Sequence, residues 1–274
     1  MSTATFAPAQ ASAVKSRTLL VSRSLAWVEG LRLIRHPLVV ASALLGSVLF
    51  ALLTRHEAPV LNRHDSLITE ALLPAAGGIL VAAHLATLRA RRHRTVELHR
   101  STPSSATVET AGHLLGVAIA SVAALGLALL YLAYLEIAGG VTSPRPLVVL
   151  TGPALVLLGG ALGVAGARWL PYTAAGPLLL IGVVGISFVL MGDCSTNTGD
   201  CRIRYLSPLV LSEAWTATPS ELAYRAVGAH LTYLGGLALA ASAGALLRFR
   251  RDLVTALVGI VALGVAVVGA YFQA

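Results

Sequence analysis

A chain of 274 residues that is 56% apolar and only 12% charged is not an ordinary soluble domain, because such domains carry roughly a quarter charged residues. Its net charge of +8 would suit nucleic acid in a soluble chain. Recurrent apolar runs of about 18 residues or more instead require a bilayer and exclude a nucleic-acid partner. The predicted fold is all-α, a polytopic transmembrane helical bundle.

Residues 1–23 are polar and rich in Ser, Thr and Ala. They lack the early apolar core of a cleavable signal and read as a loose cytoplasmic tail. Residues 24–36, "SLAWVEGLRLIRH", carry Trp27, Val28, Leu31 and Ile34 at helical spacing, with Glu29, Arg32, Arg35 and His36 largely opposite. A basic amphipathic helix with Trp on its apolar side suits a membrane interface, and Pro37 breaks it from the first span. Two readings stay open: a helix that only orients the first span, and an elbow that slides along the lipid surface.

Seven apolar runs follow: Pro37–Thr54, Leu67–Leu88, Thr107–Ala138, Leu147–Ala167, Tyr172–Met191, Val227–Leu247 and Leu253–Phe272. With the amino terminus inside, fourteen of the twenty Lys and Arg residues fall on that side. The positive-inside rule then places the amino terminus in the cytoplasm and, with seven spans, the carboxyl terminus outside. The expected location is the plasma membrane, with the bilayer itself as a partner.

The connection over residues 89–106 is the most basic part of the chain. "RARRHRTVELHR" contains good helix formers and neither Gly nor Pro. Its five arginines could not be held at bilayer depth, at about 2.5–3.5 kcal/mol each. Thr102 can cap a new helix with Pro103 at its first position. From Ser104 to Ala138 no further proline occurs, so a helix of about 50 Å should project beyond a hydrocarbon core of about 30 Å. Glu109 and His113 belong to that projecting part.

An elbow ending in "RLIRHP", the basic "RTVELHRSTPSS" after span two, and "AYRAVGAHLTYLGGLALAASAGALLRFRR" around span six together resemble the permease of a type-two ABC exporter, most closely its actinobacterial members. The resemblance covers spans one to six. It implies a six-span permease core over residues 37–251, a coupling helix made by Arg91, Arg92, Arg94, Glu97, Leu98 and His99 with Pro103 at its corner, and docking on cytoplasmic ABC ATPase subunits. It further implies pairing with a second permease copy or a paralogue, and outward movement of a hydrophobic or amphipathic substrate. ATP and Mg would sit on the partner ATPase, with no cofactor on this chain. The sequence has no G-x-x-x-x-G-K-[ST] loop, and Lys15, its only lysine, lies outside any Gly-rich context. Such permeases commonly have six spans with both termini inside; residues 252–274 depart from this by adding a seventh span.

The external loop over residues 192–225 contains Cys194 and Cys201. Their spacing, with no nearby His, favours a local disulfide over a metal site, worth about 2.5 kcal/mol by chain entropy. Leu206–Ala217 could form a short external helix, and Thr218 with Glu221 a capping box, serving either as an exit gate or as a surface cap. Ionisable residues near span ends are Glu70, His84, His230 and Glu136. Packing or hydrogen bonding suits the histidines, whereas Glu136 is a candidate gate residue. Gly112/Gly116 and Gly159/Gly163 permit close helix approach. No catalytic constellation or metal-ligand set is present, so the chain is not predicted to be an enzyme. An ion-coupled secondary transporter should show mid-membrane ion ligands and broken repeats; it and a non-catalytic assembly protein are the alternatives.

Overall fold

The computed structural model describes residues 23–55, 61–89, 105–192, 206–209 and 221–273. The described chain is a bundle of eight helices. Helix α1 covers residues 23–34, and α2 (Pro37–Thr54), α3 (Leu61–Thr87), α4 (Ala106–Ile137), α5 (Pro146–Trp169), α6 (Ala175–Gly192), α7 (Glu221–Leu247) and α8 (Leu253–Gln273) follow. Six helices are long and apolar enough to cross a membrane, and α6 is a shorter apolar helix. The expected all-α polytopic bundle is therefore observed.

Helix α5 is the centre. It packs against α3, α4, α6 and α7, whereas α2 rests mainly on α3 and α8 on α7. The packing exploits missing side chains. A Cβ on Gly159 or Gly163 of α5 would strike the carbonyls of Ala76 and Leu80 in α3, and one on Gly46 of α2 would strike the Ala71 carbonyl. At the other edge, Gly236 and Gly269 bring the backbones of α7 and α8 together. Apolar tails offer helices no hydrophobic reason to associate, so close backbone approach and dispersion must hold them. Helix α8 buries only its small and polar stripe, Thr255, Ala262, Ala266, Gly269 and Gln273. It is an added helix on the margin of the other spans.

Helix limits differ from the sequence expectation where polar contacts extend or shorten an apolar run. Helix α3 starts at Leu61 rather than Leu67, because the Leu61 amide donates to the Val141 carbonyl at 2.9 Å. Helix α6 starts at Ala175 rather than Tyr172. The preceding residues form a turn in which the Tyr172 amide donates to the Leu170 carbonyl at 2.8 Å and the Ala175 amide to the Tyr172 carbonyl at 3.0 Å. Helix α4 begins at Ala106 after Ser105, whose side chain accepts from the Val108 amide. The cap on the described helix is thus Ser105; Thr102 and Pro103 lie outside the described residues. At 32 residues, α4 is still about 48 Å long.

Candidate functional site

The bundle has a basic end, bearing α1, the end of α3 and the start of α4, and an opposite end bearing the turn from α4 to α5. Charged side chains gather at both.

At the basic end the key residue is Glu29. Only 4% exposed, it points into the protein instead of lying on a wet face as its helical position suggested. The buried stripe of α1 is Ala26, Glu29, Gly30 and Leu33, whereas Trp27 is 59% exposed and Val28 is also exposed. The reason is steric: Gly30 packs on Ile119 and against Gly116 of α4, and Gly112 receives Leu25. The Gly112/Gly116 pair seats the elbow helix through its small side. The first two residues of the apolar spacing, Trp27 and Val28, are left facing outward, as an interfacial helix requires.

Glu29 directly links three elements, and a fourth is reached beyond it. Arg32 Nη1 donates to its Oε1 at 2.8 Å, and Arg89 Nη1, just beyond α3, donates to the same oxygen at 3.5 Å. His113 Nδ1 of α4 lies 3.8 Å from Oε2. The other ring nitrogen, Nε2, lies 3.6 Å from Glu109 Oε1, which is 3.5 Å from Arg168 Nη2 at the end of α5. Arg168 also stacks over Phe249, 5.2 Å from the ring centroid. One run of polar contacts thus joins the elbow to Arg89, the first residue of the basic connection. Through His113, which is charged only when protonated, it continues to Glu109 in the first turn of α4 and on to Arg168 of α5.

His36 sits at the corner between α1 and α2. Its Nδ1 accepts from the Leu38 amide at 3.3 Å, and burial followed by the nearby Arg89 charge holds its pKa below the usual histidine value. Deeper in α3, His84 Nε2 meets the Tyr172 carbonyl at 2.9 Å, and His84 packs against Gly176. It fastens the turn between α5 and α6, as the hydrogen-bonding expectation held. His230 Nδ1 meets Gln273 Oε1 at 2.8 Å and fastens α8 to α7.

The opposite end has a tighter device, which sequence reading passed over. Asp65 is fully buried. It accepts from Arg145 Nε at 2.9 Å, Nη2 at 2.7 Å and the backbone amide at 3.1 Å. Hydrogen bonding to Asp65 raises the Arg145 pKa further. Thr69 adds a hydrogen bond to the Val148 carbonyl at 3.0 Å. The visible signal was slight, one acid before a span and one arginine before Pro146.

The other sequence-derived candidates are distributed as follows. Arg35 is exposed on the turn after α1, and Glu136 is exposed near the end of α4. Arg91, Arg92, Arg94, Glu97, Leu98, His99 and Pro103 lie outside the described residues, as do Cys194 and Cys201. Among the described residues, no group of three His, Cys, Asp or Glu side chains could hold a metal ion. No protein-family model, curated protein or solved structure matches the chain.

Proposed function

We infer that the chain is a transmembrane permease subunit of an ABC exporter, which couples ATP hydrolysis by a separate ATPase to outward movement of a hydrophobic or amphipathic substrate. One observation carries this reading: Glu29 ties the elbow helix to both flanks of the basic connection between α3 and α4. Arg89 is the first residue of that connection, and Glu109, reached through His113, stands in the first turn of the helix after it. A push delivered to the connection would therefore be felt at once by α1, α3 and α4, and through Arg168 by α5. Simple positive-inside anchoring needs arginines near the headgroups; it does not require a buried acid that gathers them.

In this reading Arg91, Arg92, Arg94, Glu97, Leu98 and His99 form the docking surface for the ATPase, and Pro103 sets the corner behind it. ATP and Mg belong to the ATPase, and a second copy or a paralogue completes the conduit. The test is first whether an ABC ATPase gene lies beside this one, and then co-expression of the two products with purification by a tag on this chain. Reversing Arg91, Arg92 and Arg94 to Glu should release the ATPase while this chain still elutes as folded protein. An ATPase that remains bound, with substrate still exported, would remove the docking assignment.

A further inference from the structure

Two consecutive residues at the end of α5 serve opposite purposes. Arg168 is largely buried and reaches Glu109 and Phe249. Trp169 is exposed, yet it is held in place: its Nε1 donates to the Gly244 carbonyl of α7 at 2.9 Å. Arg248 lies over the same ring, 5.5 Å from its centroid. An exposed tryptophan fixed by a hydrogen bond and covered by a guanidinium is an ordered surface.

The turn after α7 surrounds this surface with positive charge. Arg250 is occupied by Asp252, which also caps α8 by accepting from the Thr255 amide at 2.8 Å. Arg248 and Arg251 are exposed, and neither meets a carboxylate among the described residues. Directly beyond them, α8 begins with Leu253 and Val254, both exposed. The patch thus runs from cations, through an interfacial tryptophan, to apolar helix surface. A soluble anion would use only the first part of that series. A lipid with an anionic headgroup would use all of it, since basic sites at helix ends recruit such headgroups and Trp favours the interface.

We propose that the surface formed by Trp169, Arg248, Arg251 and the start of α8 binds an anionic phospholipid. Arg248 and Arg251 take the headgroup phosphate, Trp169 packs beside the glycerol region, and an acyl chain lies along Leu253 and Val254. The proposal stands apart from the exporter reading, because it needs only that the helices lie in a bilayer.

The test uses the full chain in a neutral detergent, with phosphatidylglycerol or phosphatidylcholine added and bound lipid counted by native mass spectrometry. Phosphatidylglycerol should be retained preferentially. Arg248→Gln and Arg251→Gln should each weaken retention about 5-fold, the loss expected for removing one basic residue near an anionic surface. Arg248→Lys with Arg251→Lys should keep most of it, which separates loss of charge from loss of folding. Arg55→Gln, an exposed arginine at the opposite end, should change nothing. Equal retention of the two lipids would overturn the proposal, as would an Arg55 effect matching that of Arg248. Displacement of the lipid by millimolar inorganic phosphate would also overturn it, showing a generic anion site.

Discussion

The two ends of the bundle both bury an acid, and they treat it differently. Among the described residues Asp65 is held by Arg145, which supplies three hydrogen bonds at 2.7–3.1 Å. Glu29 shares its charge among Arg32, Arg89 and His113 over contacts that lengthen from 2.8 to 3.8 Å, and its Oε2 accepts no hydrogen bond. A bidentate pair with a further amide is a fixed geometry. A carboxylate with several partners on separate helices can exchange one for another while remaining compensated. The first arrangement closes one end of the bundle; the second suits an end that must pass on a displacement.

The largest effect should come from breaking the closed end. Asp65→Ala leaves Arg145 without its carboxylate and should destabilise the protein by about 3–5 kcal/mol, seen as a large fall in the thermal midpoint in detergent. Replacing both partners, Asp65→Leu with Arg145→Met, should recover most of that loss, because no isolated charge then remains. If the single and double variants were equally damaged, the pair would not be the clamp that the contacts describe.

Glu29→Gln should be milder, about 1–2 kcal/mol, since charge-assisted hydrogen bonds of this length contribute at that scale. Its effect should be local: hydrogen exchange should quicken in α1 and at the start of α4 while the thermal midpoint moves little. A global loss matching that of Asp65→Ala would erase the contrast between the two ends.

The smallest effect concerns the corner beside Glu29. His36 uses its unprotonated Nδ1 to cap α2, and its pKa is depressed in the folded protein. The stability it contributes is therefore fully present above the unfolded value of about 6.5 and is lost as pH falls through the lower folded value. Hydrogen exchange at the start of α2 should rise on acidification through that window. His36→Asn, which keeps a capping acceptor without a titrating ring, should flatten the response. A profile unchanged by this variant would assign the pH dependence to another group.

Much of this could be read in advance. Runs of apolar residues located α2 to α8 because a bilayer leaves the backbone almost no choice but helix, and errors were confined to ends set by polar contacts. The paired glycines could be seen as permission for close packing, although only the fold shows that Gly112 and Gly116 receive α1 while Gly159 and Gly163 receive α3. The α1 surface was the most instructive difference. Apolar spacing identified Trp27, Val28, Leu31 and Ile34 as one stripe, but in lipid an apolar stripe can face outward, so the stripe alone could not say which side meets protein. Ala26 and Gly30 flanking Glu29 were the available signal, small residues four apart with an acid beside them.

The sequence by itself determined that the chain is a helical bundle for a membrane, where its helices run, and that its charge is concentrated between α3 and α4. Those properties follow from hydropathy and peptide geometry, which act locally. Only the tertiary structure decided that Glu29 and Asp65 are buried and which arginines answer them. Pairing across helices depends on residues 60 and 80 positions apart meeting at the same depth, and no local pattern encodes that distance. The basic connection was conspicuous as a sequence; its flanks acquired a partner only when the bundle placed Glu29 between them.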